Sequence, residues 1–298
     1  MQIQWYPGHM AKTRKMMEEN IRLVDVVVEV IDARAPYSSK NPYLDKLWQK
    51  RPRVIALNKT DLADPSITAL WKKYYLEQGY SVVAIDAAHN KGVREITPAV
   101  EALIEQRDKE RGSKKAGTRT IKMMITGIPN VGKSTVVNAV AKRGGAAKTG
   151  NKPGVTRDKQ WIKVSDHVML LDTPGILWPK FENNETGLNL AFIGSISDDV
   201  VNLYQLASEL LDRLKGPYGS RLVERYGIDP SVLDKSGDII LEEIGRKRGH
   251  LFKGGQVDTD RTAVMVLDEF RSGKLNRISL EVPKGREGNK DAQSESRS

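Results

Sequence analysis

The chain of 298 residues contains no cysteine. That excludes disulfides, thiolate metal sites and thiol nucleophiles, and it suits a reducing compartment. No run of 18 apolar residues occurs, and the first residues, Met-Gln-Ile-Gln-Trp, do not form a charged and then apolar leader. A soluble, cytoplasmic protein with no membrane partner is therefore expected. Negative charge is the minority sign, with 38 Asp and Glu against 48 Lys and Arg, a net charge of +10 and a pI near 9.5. Such a balance favours a polyanionic partner, most often nucleic acid, over an ordinary solvated surface. The length suffices for one large or two ordinary domains, each with its own core.

The stretch from Thr120 to Thr135 organises the rest. Residues 121–126 read as a short buried strand, Gly127 to Ser134 matches G-x-x-x-x-G-K-[ST], and Val136, Val137, Ala139 and Val140 follow at helical spacing. Strand, glycine loop and helix come in the order a phosphate site requires. The glycines let backbone N–H groups and the positive end of the helix converge on one small volume. Asn130, Val131, Gly132, Lys133, Ser134 and Thr135 are thus expected to hold nucleotide phosphates. Lys133 would reach the β- and γ-phosphates, and the Ser134 hydroxyl would be one ligand of Mg²⁺.

The chain opens with Trp5-Tyr6-Pro7-Gly8-His9-Met10-Ala11-Lys12, an ordered loop leading into a basic helix from about Ala11 to Leu23. His9 can be read as a general base, a water-positioning group or a capped surface residue. Leu23 to Asp32 is a nearly continuous apolar run, the pattern of a strand covered on both faces. A helix around Pro42 to Gln49 precedes a second strand, Arg53 to Leu57, which ends in Asn58-Lys59-Thr60-Asp61. A nucleotide-binding sheet presents base-reading residues at such strand ends. Asp61 can accept hydrogen bonds from guanine N1–H and the N2 amine together, whereas adenine offers neither donor on that edge. An unpaired buried carboxylate would cost adenine about 10⁴-fold in affinity. A helix from Ser66 to Gln78 and a strand from Ser81 to Ile85 lead to Asp86-Ala87-Ala88. A long helix from Val93 to about Glu110 then dissolves into a polar linker over residues 106–119.

Beyond the phosphate loop, residues 142–163 carry Lys142, Arg143, Lys148, Lys152, Arg157, Lys159 and Lys163 against Asp158. Thr156 lies within this aperiodic stretch and is the candidate for sensing Mg²⁺ and the γ-phosphate. A strand pair, Gln160 to Val164 and Val168 to Leu171, closes on Asp172-Thr173-Pro174-Gly175. Asp172 is placed to hold Mg²⁺ through water, and the Gly175 amide to bond the γ-phosphate, so hydrolysis would release both loops. From about 179 to 283 the pattern changes to amphipathic helices: Leu188–Ile196, Val200–Leu214, Leu222–Gly227, Ile239–Arg248 and Asp258–Ser272. Basic residues including Arg246, Lys247, Arg248, Lys253, Arg261 and Arg271 recur there, either as an RNA-contacting face or as a solvated bundle surface. Residues 284–298 read as a disordered tail.

Phosphate loop, threonine loop, D-x-x-G and N-K-x-D together resemble the guanine-nucleotide-binding superfamily of P-loop proteins. Their order differs, because Asn58-Lys59-Thr60-Asp61 and Asp86-Ala87-Ala88 come first. The chain resembles a circularly permuted GTPase whose usual ends are joined through the 106–119 linker, which is feasible because domain ends lie close together. The resemblance implies that Asp86, Ala87 and Ala88 occupy the position whose backbone contacts guanine O6. The Trp5–Lys12 loop, the permuted order, residues 172–179 and the closing segment from Gly254 to Glu281 narrow this to a resemblance to the bacterial ribosome biogenesis GTPase A family, over nearly everything except the tail.

That family implies an α/β fold, with a permuted GTPase domain over 1–178 and a helical RNA- and ribosome-binding domain over 179–283. It also implies a GTP/GDP switch acting late in assembly of the large ribosomal subunit. Its partners would be the subunit precursor, its rRNA and ribosomal proteins, with turnover stimulated by the particle; a monomer is expected. Many GTPases carry a water-orienting Gln directly after D-x-x-G, where this chain has Ile176. An apolar side chain cannot hold the water, so a low intrinsic rate is expected. The resemblance makes His9 the leading candidate to supply the missing group and Asn130 a ligand for K⁺. Two other readings compete: a P-loop ATPase or nucleotide kinase, which would have no use for Asn-Lys-Thr-Asp, and a non-catalytic RNA-binding scaffold whose nucleotide is structural.

Overall fold

The computed structural model describes residues 18–48, 51–112, 119–141, 161–171 and 183–283. A six-stranded sheet has the order β3-β2-β1-β4-β6-β5. Its strands are β1 (Val26–Asp32), β2 (Arg53–Asn58), β3 (Ser81–Ala84), β4 (Ile121–Thr126), β5 (Trp161–Lys163) and β6 (Val168–Leu171). All neighbours run parallel except the β5–β6 edge pair. β1 and β2 are buried along their whole length, which explains why their apolar residues run without alternation; the charged Glu29 and Arg53 pair with each other at 3.0 Å.

Helices cover both faces. On one face β1 residues Val28 and Val30 join a core with α4 (Ile96–Glu110) and α5 (Lys133–Ala141). On the other, Ile31, Ile55 and Leu57 pack with Trp71 and Tyr75 of α3 (Pro65–Glu77). The α3 start follows from Asp64, whose Oδ1 accepts the Ser66 N–H at 2.9 Å, with Pro65 at the first helical position. Two short helices, α1 (Pro36–Ser39) and α2 (Pro42–Trp48), lie between β1 and β2. The α2 span was expected; the α1 turn is too short to leave a periodic signal. The expected linker is also more ordered at its ends than its polarity suggests. α4 continues to Glu110, and Arg119 bonds Asp25 at 2.7 Å and Asp108 at 3.1 Å.

After Asn183 the chain is helical: α6 (Asn184–Phe192), α7 (Leu203–Leu214), α8 (Gly219–Tyr226), α9 (Gly237–Lys247) and α10 (Thr259–Arg271). α7 is the centre of this bundle, burying Leu206, Leu210, Leu211 and Leu214 among its neighbours. These helices share one continuous buried cluster with the sheet. The closing coil returns to the sheet unit: Ile278 N donates to Leu62 O at 2.9 Å, and Leu280 N to Arg34 O at 2.7 Å. Among the described residues, no helix is long and apolar enough to cross a membrane.

Candidate active site

Parallel register puts the chemistry at one edge. Asp32 lies opposite Asn58 and Glu29 opposite Thr126, so the loops leaving β1, β2 and β4 emerge together at the C-terminal ends of the strands. The phosphate loop turns through left-handed backbone at Asn130 (φ 62°) and Gly132 (φ 89°). A Cβ at Gly132 would overlap the Asn58 amide nitrogen, so that approach requires glycine.

The two halves of the chain meet here. Asn58 Nδ2 donates to Val131 O at 2.7 Å, while its Oδ1 accepts the Ala87 N–H at 3.1 Å. Lys59 Nζ donates to Asn130 O at 2.6 Å and lies 3.0 Å from Asp32 Oδ2. One asparagine therefore ties the phosphate loop to the Asp86-Ala87-Ala88 loop, and one lysine ties it to the end of β1. Asp61 stands partly exposed beside them, with His89 Nδ1 4.0 Å from its carboxylate. His89 also bonds Asp86, at 2.8 Å to Oδ2. The Ala87 amide is committed to positioning Asn58, and Thr60 anchors the loop after β2 by donating its N–H to Ile85 O at 3.2 Å.

Asp32 was not singled out by sequence, yet it is the electrostatic centre of the edge. It is fully buried and takes the Arg34 guanidinium in a bidentate grip, Nε to Oδ1 at 2.9 Å and Nη2 to Oδ2 at 2.8 Å. Burial alone would raise its pKa, but Arg34 and Lys59 outweigh that and hold the carboxyl well below the usual carboxylate range. Its position as one of two carboxylates, with Glu29, in a strand of valines and isoleucine was the available signal. Gly194 and Ser195 were also missed: Asn130 Nδ2 donates to Gly194 O at 2.5 Å, and Ser195 Oγ donates to Pro129 O at 2.9 Å. The phosphate loop is thereby bonded to the turn that ends α6.

Lys133, Ser134 and Thr135 begin α5, where the helix N-terminus and loop amides favour anionic oxygens. Ser134 is exposed at that position and fits as an Mg²⁺ ligand. His9, Thr156, Asp172, Gly175 and Ile176 lie outside the described residues.

The family model described as a 50S ribosome-binding GTPase matches residues 122–218. Ribosome biogenesis GTPase A of Bacillus cereus is 44% identical over 285 residues, covering 95% of each chain. That of Thermotoga maritima is 31% identical over 94% of each chain. The chain belongs to the ribosome biogenesis GTPase A family. Among solved structures, GDP-bound YlqF aligns with a TM-score of 0.64 at 26% identity, over 91% of this chain and 100% of that one. GNP-bound YlqF from T. maritima aligns with the same score at 27% identity, over 92% and 99%. The protein is a GTPase of ribosome biogenesis, with the permuted P-loop fold that its motif order implied. Guanine nucleotide is its ligand, and GTPases of this kind usually bind it with Mg²⁺. The ATPase, nucleotide kinase and non-catalytic scaffold readings fall away.

Proposed function

We propose that this GTPase is a switch for assembly of the large ribosomal subunit, binding the subunit precursor through its rRNA with GTP bound and leaving after hydrolysis. The observation that carries the reading is the double junction at the phosphate loop. On one side the loop is bonded to the base-reading Asn58 and Lys59, and on the other to Gly194 and Ser195 at the end of α6. A loop that senses phosphate therefore has a direct hydrogen-bonded route into the helical unit. Residues 1–178 form the nucleotide-binding part, and 179–283 the part that reports its state to the particle.

Within the site, Asp61 accepts the guanine N1–H and N2 amine, with the Asp86-Ala87-Ala88 loop toward O6. Lys133 and the loop amides of 130–135 neutralise the phosphates, and Ser134, Thr156 and Asp172 would hold Mg²⁺, which would supply positive charge against the phosphate oxygens. The Gly175 amide accompanies the γ-phosphate. Asn130 has its amide nitrogen on Gly194, and its Oδ1 would be the K⁺ ligand. Because Ile176 cannot orient water, His9 does so once the particle is engaged.

One preparation tests this: purified large-subunit precursors are sedimented with the protein in GDP or a slowly hydrolysed GTP analogue, and phosphate release from GTP is followed in KCl and in NaCl. Co-sedimentation is expected to favour the analogue, with stimulated turnover faster in KCl and lost in His9→Ala. Equal sedimentation in both nucleotides would remove the switch, equal rates in both salts the K⁺ site, and undiminished turnover of the variant the role of His9.

A further inference from the structure

The nucleotide site uses the C-terminal ends of the strands. At the opposite ends, about 20 Å away at the ordinary rise per strand residue, lies an open cavity of about 580 Å³. Arg22, Arg51, Arg107, Arg111, Arg119 and Lys122 line it, with Asp25 the acidic residue among them. Asp25 is already engaged: one oxygen takes Arg119 at 2.7 Å and the other the Lys122 N–H at 2.9 Å. Arg51 is fixed by donating to Ile21 O and Val24 O, both at 2.6 Å. Arg22, Arg107 and Arg111 make no ion pair among the described residues, and Arg22 and Arg111 are exposed. Burial and then the neighbouring Arg111 push the Arg107 guanidinium below its usual pKa, so an anion entering the cavity relieves repulsion already present.

We propose that this cavity is a phosphate-binding site for the RNA backbone, on the face of the sheet edge opposite the nucleotide. Five of the six cations are arginines, whose planar forks match phosphodiester oxygens two at a time. They come from the turn after Ile21, the approaches to β2 and β4, β4 itself and the end of α4, a spread that suits a repeating polyanion better than one carboxylate. Parts of the C-terminal positive charge are used internally. Arg271 pairs with Asp198 at 2.8 Å and also holds the Ala191 and Phe192 carbonyls, while Arg248 donates to Arg225 O at 2.8 Å. The proposal rests on the reading of this GTPase as an RNA-binding protein and adds where the RNA touches it.

The test is fluorescence anisotropy of a labelled mixed-sequence RNA hairpin over a range of KCl concentrations, using the full chain, Arg107→Gln/Arg111→Gln and Arg107→Lys/Arg111→Lys. Sodium tripolyphosphate and polyaspartate serve as competitors, and GDP affinity reports folding. The glutamine variant is expected to bind the hairpin about tenfold more weakly, with the slope of log affinity against log salt reduced by about 2. Its GDP affinity is expected to be unchanged, and the lysine variant is expected to retain most of the binding. If the unaltered chain binds no hairpin, the RNA-binding reading falls and this site with it. If it binds and the glutamine variant matches it in affinity and slope, the site alone is overturned. Loss in the variant of tripolyphosphate or polyaspartate binding, with hairpin binding intact, would also overturn it.

Discussion

Asp32 shows how one buried carboxylate can organise a nucleotide edge through its neighbours. It fixes Arg34, which is 1% exposed, and draws Lys59 toward the phosphate loop. Replacing it by Asn would leave the Arg34 guanidinium buried without a counter-charge, a change that costs about 3–5 kcal/mol. Asp32→Asn is therefore expected to lower the free energy of unfolding, read from the denaturant midpoint, by that amount, and to weaken GDP binding as Lys59 loses its second anchor. The pH dependence has a definite sign. The folded pKa of Asp32 is held below its unfolded value near 3.9, so its contribution is complete above that value and is lost as pH falls toward the folded one. Stability curves of the two proteins should converge below about pH 4. The meeting of the Asn58–Asp61 segment with the phosphate loop was legible, because both motifs carry fixed residue types at fixed spacing. Asp32 was not, because the two-residue spacing from Asp32 to Arg34 carries no sign that the pair is buried, and the contact with Lys59 depends on the register of β1 against β2.

At the scale of elements, the closing coil acts as a strap over the base-reading loop. Beyond the Ile278 and Leu280 bonds, Ser279 Oγ accepts the Asp64 N–H at 3.1 Å, and Trp71 Nε1 donates to Glu281 O at 3.0 Å. The Glu281 carboxylate accepts from Tyr37 N at 2.7 Å, from Asn189 Nδ2 at 2.9 Å and from Ser38 through both its backbone and its hydroxyl. It thus joins α1, α6 and the C-terminal coil. A Gln here would turn one acceptor into a donor facing donors, at a cost of about 1–3 kcal/mol. Burial of the carboxylate raises its pKa despite those bonds, so the folded state holds its proton to higher pH than the unfolded chain does. That contribution is present below the unfolded value near 4.3 and is lost as pH rises through the folded one. Glu281→Gln is accordingly expected to be less stable in urea unfolding, with the gap from the unaltered protein narrowing as pH rises above about 4.3. The helices themselves were readable from apolar spacing to within a few residues: α7 and α10 each lie inside their expected spans. The strap was not, because residues 272–281 have neither helical nor strand periodicity and are held by bonds to residues more than 200 positions away.

For the whole molecule, permutation means that the guanine reader and the phosphate loop are separated by the linker region yet share one edge, and that the helical unit is built onto that same edge. Sheet and helices share a continuous buried core, so neither surface is shed to water while the other remains folded. Thermal unfolding is expected to be a single cooperative transition, and guanine nucleotide should move it as a whole. GDP at about 100 times its dissociation constant stabilises the bound state by about 2.7 kcal/mol. For a chain of 298 residues, that corresponds to a rise of about 4 °C in Tm. Calorimetry with and without GDP, combined with hydrogen exchange read at α7 and α10, checks it. Protection should rise in these helices along with that of β1 and β4, because the Gly194 and Ser195 bonds carry ligand stabilisation across. Two separate transitions, with GDP moving one and leaving helix protection unchanged, would mean that the nucleotide edge and the helical unit are energetically independent, and that the Gly194 and Ser195 bonds carry no coupling.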